Sequence, residues 1–220
     1  MLHLGSIRGT SIDVDLSFIL LTLLFVATAY DERQGIQYAL IWAPILFVSI
    51  LVHELAHAAA IGLFGYGSSQ IVLGGIGGVT MNARRSRPWH DMVISAAGPL
   101  ASFAIWWGTS LFMARYPLRD PMLVALLPRL ADANLIWGIF NLVPVPPLDG
   151  GSVVRNFLRL FLSDRISFVI TTWLAMITAA VLVVIGFRIH QYFVIVLMGY
   201  YLYANWQKWQ YFREHGYPGD

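Results

Sequence analysis

The sequence predicts an all-α polytopic membrane protein with about six transmembrane helices and a small β element between the second and third. Three observations lead there. Hydrophobic residues make up 58% of the 220 residues and charged residues only 12%, with a mean hydropathy of +0.66. A chain of that composition cannot cover its apolar side chains for water, so lipid is the solvent it fits. The apolar residues gather into six runs, most of them near the roughly 20 residues that one bilayer crossing needs. Between the second and third runs, the sequence changes to a short β-branched and glycine-rich stretch of a kind suited to strands.

The runs are 16–30, 36–64, 92–113, 122–143, 166–187 and 192–206. The first is short and ends in Ala27-Thr28-Ala29, an A-x-A pattern resembling a signal-peptidase site. Asp13 and Asp15 precede it where a signal peptide favours positive charge, so the run is expected to stay as a spanning helix. Six spans put both termini on one side. With the N-terminus inside, Arg8, Arg84, Arg85, Arg87, Arg155, Arg159, Arg165, Lys208 and Arg213 are cytoplasmic. Arg33, Arg115, Arg119, Arg129 and Arg188 fall outside or within the fourth span. That excess favours cytoplasmic termini; the membrane expected is a prokaryotic cell (inner) membrane. The spans nearly consume the chain, leaving residues 1–220 as a single integral-membrane domain. The net charge of +2 gives no sign of nucleic-acid binding, and the absence of cysteine excludes disulfides and Cys-rich zinc sites.

The second run contains His53-Glu54-Leu55-Ala56-His57, an H-E-x-x-H at membrane depth. Residues i and i+4 share a helix face about one turn apart, so His53 and His57 can present two imidazoles to one zinc ion. Glu54 is rotated by about 100° from His53. It can therefore stay off the metal and take a proton from the attacking water, the role this motif gives its glutamate. The competing reading is a polar patch between helices, which the apolar context disfavours.

A zinc hydrolase site also needs a third protein ligand and an open position. The candidate is Asp149, in Asn141-Leu142-Val143-Pro144-Val145-Pro146-Pro147-Leu148-Asp149-Gly150-Gly151. Three prolines break the fourth span there and two glycines permit a sharp turn. Irregular backbone at this depth is tolerated only where protein or a wet cavity satisfies it. Asp132, within the fourth span, is the reserve ligand; it could instead pair with Arg129.

H-E-L-A-H in an apolar run, followed by N-x-x-P-x-P-x-L-D-G, resembles the site-2 protease family of intramembrane zinc metalloproteases. The resemblance extends through Gly74-Gly75-Ile76-Gly77-Gly78 and Ala97-Gly98-Pro99-Leu100. It implies one zinc per chain held by His53, His57 and Asp149, with Glu54 as general base. It also implies that Asn141 lies beside the substrate strand or helps polarise the scissile carbonyl, and that Pro144 belongs to the substrate-contacting segment. Members often read Ala-Gly-Pro-x-x-Asn, whereas Ser102 occupies the Asn position here, which puts one helix-packing hydrogen bond in question. Members also often carry a PDZ or CBS domain; the chain is expected to be a minimal core with neither.

A transmembrane substrate hides its peptide groups in internal hydrogen bonds and must unwind before hydrolysis. The stretch 68–81, with Gly74, Gly75 and Gly77, could receive it as an added strand, glycine permitting close backbone approach. The plain alternative is a flexible glycine loop. The expected partners are a transmembrane protein substrate and the lipid bilayer, with a homo-oligomer left open. Two rival functions remain. A zinc transporter should show ionisable groups relayed across both leaflets, whereas these gather in one place. A non-catalytic membrane scaffold should lack the glutamate, and Glu54 is present.

Overall fold

The structure is a computed structural model describing residues 1–32, 35–75, 77–82 and 87–216. Arg33, Arg84 and Arg85 of the charge count, and Ile76 of the glycine-rich stretch, lie outside the described residues. In chain order the elements are β1 (Leu2–Ile7), β2 (Thr10–Val14), α1 (Leu16–Thr28), α2 (Ile36–Leu40), α3 (Trp42–Leu63), β3 (Ser69–Gly74), β4 (Gly77–Asn82), α4 (Pro88–Arg115), α5 (Pro121–Asn141), α6 (Asp149–Leu158), α7 (Asp164–Arg188) and α8 (Tyr192–His215). They fall into two compact units, residues 1–86 with 97–139, and residues 87–96 with 140–220.

Among the described residues, four helical segments are long and apolar enough to cross a membrane: Ile36–Leu63, Pro88–Arg115, Pro121–Asn141 and Asp164–Arg188. The protein is mostly helical with a small sheet, as the sequence predicts. The two remaining runs are weaker. α1 has 13 residues, about 20 Å at 1.5 Å per residue, against a hydrocarbon core of about 30 Å. α8 has 24 residues, but its tyrosines and tryptophans and the polar end Gln207-Lys208-Trp209-Gln210 dilute its hydropathy.

In the first unit the sheet has the order β1-β2-β3-β4, with β2 and β3 parallel and the two outer pairs antiparallel. The expected β element is therefore half of a larger sheet whose other half precedes the first helix. Alternation along β2 and β3 sends Ile12, Val14, Ile71 and Leu73 into one core with Phe18 and, from α3, Ile50 and Ala58. Asp15 caps α1 by accepting the Ser17 N–H at 3.0 Å. Bonds from the Ser17 hydroxyl and N–H hold that carboxyl below its ordinary range. The acids that argue against a signal peptide thus start the helix and, through His3 and Gln70, brace Asp13 on the sheet.

In the second unit α5 stops at Asn141 and the proline segment turns into α6. Val145 and Leu148 are buried with Ala175, Ala179, Met198 and Tyr201. Asn205 of α8 donates from Nδ2 to the Pro146 carbonyl at 2.8 Å. The turn leading to Asp149 is thereby fastened to α7 and α8 by apolar burial and by a buried amide.

Candidate active site

α3 places the site because its buried stripe, Leu46, Ile50, His53, His57 and Ile61, advances by three or four residues, the period of one helical face. The two imidazoles sit on that stripe, 2% and 6% exposed, with ring centroids 4.9 Å apart. His57 is six residues from the end of α3, about 9 Å along the axis. Ser102 Oγ of α4, fully buried, lies 3.1 Å from His53 Nδ1. A histidine that uses Nε2 as a metal ligand carries its proton on Nδ1, which Ser102 Oγ is placed to accept, so this contact orients the ring. The residue at the departing Asn position therefore contacts a candidate ligand directly.

Gly98 supplies the space for a metal. A Cβ built on it would stand 2.3 Å from His57 Nε2 and 2.5 Å from His53 Nε2. Both nitrogens thus converge on one spot above the backbone of α4, close to the 2.0–2.1 Å reach of a Zn–N bond. A methyl group would fill that spot. The histidine pair and the glycine cradle fit a zinc ion.

Glu54 is 4% exposed and its side chain packs against β4. A Cβ on Gly78 would come within 2.3 Å of Glu54 Cγ. Thr80 Oγ1 donates to Glu54 Oε2 at 2.7 Å and lies 3.1 Å from the Glu54 carbonyl oxygen. Gly78→Ala is accordingly expected to push the carboxylate out of place. Cleavage should fall by at least about tenfold while metal analysis shows the parent zinc content; an active Gly78→Ala protein would show that the carboxylate tolerates displacement.

The glycines proposed from sequence to admit a substrate backbone divide differently. A Cβ on Gly75 would meet Ser17 Cβ and the Ser17 carbonyl oxygen at 3.0 Å, and the Gly75 N–H donates to Ser17 Oγ at 3.0 Å. Gly77 has φ +127°, and a Cβ there would meet the Trp137 ring at 3.0 Å. The close approaches these two glycines permit are thus already taken by α1 and α5. Gly74 has ordinary contacts only. Trp137 also stands edge-on to His53, with centroids 6.5 Å apart.

Asp132 is exposed on α5, and Arg129 turns back to the Ala125 carbonyl at 2.8 Å. Asn134, its buried neighbour, donates from Nδ2 to Ser49 Oγ at 2.9 Å, linking α5 to α3. In the second unit Asp149 opens α6, half-buried, and Asn141 is 8% exposed at the end of α5. Pro144, also half-buried, lies between them in the turn. A Cβ on Gly150 would stand 2.1 Å from the Leu142 carbonyl oxygen, and one on Gly151 would stand 2.4 Å from the Pro146 nitrogen. Both glycines of L-D-G-G are therefore required by the fold of the turn itself. Ser102, Gly98, Gly78, Thr80 and Trp137 escaped assignment from sequence, though the A-G-P and G-G patterns marked two of the glycine neighbourhoods.

Residues 16–143, more than half of the chain, match the Peptidase M50B-like family model, and residues 111–185 match Peptidase family M50. A zinc metalloprotease of Methanocaldococcus jannaschii is 32% identical over 166 residues, 71% of this chain and 45% of its own length. Rip3 of Mycobacterium tuberculosis is 34% identical over 169 residues, 70% of this chain and 43% of its own length. The chain thus spans less than half the length of these curated relatives. A solved site-2 protease from Methanocaldococcus jannaschii is similar at TM-score 0.68 and 26% identity, with 94% of each chain covered. With the H-E-x-x-H helix, the metal cradle and a family model matching over half its length, the chain belongs to the M50 peptidases, the site-2 protease family.

Proposed function

We propose that this protein is an intramembrane zinc metalloprotease that hydrolyses peptide bonds within or near the transmembrane segments of membrane-protein substrates. The observation that carries this reading is the convergence of two imidazole Nε2 atoms on the Gly98 cradle, with a buried carboxylate beside them, on an apolar 28-residue helical span. Asp149 is the proposed third ligand. Two imidazoles and one carboxylate form a donor set suited to a catalytic zinc, which keeps a fourth position open. Bound zinc supplies Lewis acidity that polarises the scissile carbonyl and acidifies water. Glu54 accepts the proton of the attacking water and returns it to the departing amine. The His53 ring is oriented by Ser102, and the burial around Glu54 keeps bulk water from its carboxylate.

The substrate is proposed to add as an extended strand at the outer edge of β4, an edge strand among the described residues, beside Gly74 and Gly77, since an edge strand presents unpaired backbone groups. Asn141 and Pro144, on the turn that carries Asp149, are proposed to line the cleft. All six apolar runs are proposed to cross a prokaryotic inner membrane with both termini cytoplasmic. The nine-to-five distribution of Lys and Arg supports that orientation.

Glu54→Gln tests the chemistry. The variant should retain near-stoichiometric zinc and lose proteolysis by about a thousandfold, because the proton acceptor is gone while both imidazoles remain. Metal analysis and cleavage of a detergent-solubilised transmembrane substrate decide it. Near-normal turnover would remove Glu54 from the role.

A further inference from the structure

We propose that Thr80 is a positioning residue for Glu54, its hydroxyl tying the orientation of the proton-accepting carboxylate to strand β4. The inference rests on the protease reading above and adds a residue to it. The Thr80 hydroxyl has one proton and two acceptors within reach, Glu54 Oε2 at 2.7 Å and the Glu54 carbonyl oxygen at 3.1 Å. The shorter contact goes to the group that is anionic when it acts as a base, where a hydrogen bond is shorter and stronger. The carbonyl, in mid-helix, already serves the helix ladder.

Glu54 has three rotatable side-chain bonds, so burial among small residues would not by itself hold its carboxylate. β4 does so from two positions on one face. Gly78 and Thr80 are i and i+2, and both meet the Glu54 side chain, one through an absent Cβ and one through a hydrogen bond. Val79 and Met81 point the other way and are exposed. Among the described residues β4 is also an edge strand of the sheet, on the side away from β1, and its outer edge can take up an extended chain. A substrate strand added there would order β4, and with it the hydroxyl that orients the base.

The competing role is packing, in which the Thr80 methyl fills space and its hydroxyl is incidental. Two substitutions separate these. Thr80→Val keeps the shape and removes the hydroxyl; Thr80→Ser keeps the hydroxyl and removes the methyl. In the zinc-loaded full chain in detergent, Thr80→Val should lower kcat for a transmembrane substrate by about tenfold with KM and zinc content unchanged. Thr80→Ser should stay within about twofold of the parent. A second readout needs no proteolysis. Acetohydroxamate, a small zinc chelator whose hydroxyl hydrogen-bonds a neighbouring carboxylate, should bind Thr80→Val about fivefold more weakly when Glu54 is present. In the Glu54→Gln background the same substitution should leave its affinity unchanged.

Equal weakening in both backgrounds, a Thr80→Ser protein as impaired as Thr80→Val, loss of zinc from Thr80→Val, or a Thr80→Val protein at parent kcat would each overturn the inference. Coupling to Glu54 in the binding measurement without any cleavage by the parent would sustain the Thr80 contact and sink the protease reading. Cleavage by the parent without that coupling would sink the Thr80 inference alone.

Discussion

Gly98→Ala is expected to yield folded protein that contains almost no zinc. Alanine is a better helix former than glycine by about 1 kcal/mol, so in open space this substitution within α4 should stabilise. Here the added methyl would stand 2.3 and 2.5 Å from the two Nε2 atoms, where no carbon can rest beside nitrogen. The rings must rotate away or α4 must retreat, and either movement destroys a site whose two ligands have to agree on one point. The same helix provides the control. Gly108 has nothing within 4 Å of a built Cβ, so Gly108→Ala should keep its zinc and match or exceed the parent melting temperature. The expected loss of zinc affinity at Gly98 is at least about a hundredfold, beyond what disturbing an outer-shell contact typically costs. Metal content per chain, measured on both variants after identical purification, decides the matter. A zinc-replete Gly98→Ala protein would show that the metal lies elsewhere.

The contrast between these two glycines also shows what could be read in advance. H-E-x-x-H is legible because its chemistry is local: four residues of helix put two imidazoles on one face whatever surrounds them. The broken span after Asn141 is legible for the same reason, since proline and glycine act on their own backbone. Ser102, Gly98, Gly78 and Thr80 act across the fold. Each matters through what another element brings against it, across 26 residues for the Thr80–Glu54 hydrogen bond and 49 for the Ser102–His53 contact. The first half of the sheet escaped for a related reason. β1 and β2 have only six and five residues, with Gly5 inside β1 and Gly9 in the turn between the two, and β2 finds its parallel partner only after the chain has passed through three helices. Short strands have little periodicity to detect, and a parallel pairing leaves no hairpin signal. Even the glycine-rich stretch was legible in composition more than in role, because Ser17 and Trp137 are what Gly75 and Gly77 accommodate.

Asp149→Ala should lower zinc affinity by at least about a hundredfold and abolish cleavage, whereas Asp132→Ala should leave zinc content at the parent level. The two acids are the candidates for the third ligand, and their settings differ. Asp132 is an exposed side chain on a regular stretch of α5, so removing it takes away a surface charge. Asp149 is half-buried in the first turn of α6, where the helix amide dipoles favour its anion, the form a metal requires. Its turn has supports besides that carboxylate. Val145 and Leu148 are buried beneath it, Asn205 holds the Pro146 carbonyl, and Gly150 and Gly151 fit against Leu142 and Pro146. Asp149→Ala should therefore fold with a melting temperature close to that of the zinc-free parent, separating loss of a ligand from loss of the fold. Asp149→Asn keeps the volume and removes the charge, and should also lose zinc if the anion is what binds. Retention of zinc by both Asp149 variants, with its loss from Asp132→Ala, would transfer the third ligand to α5.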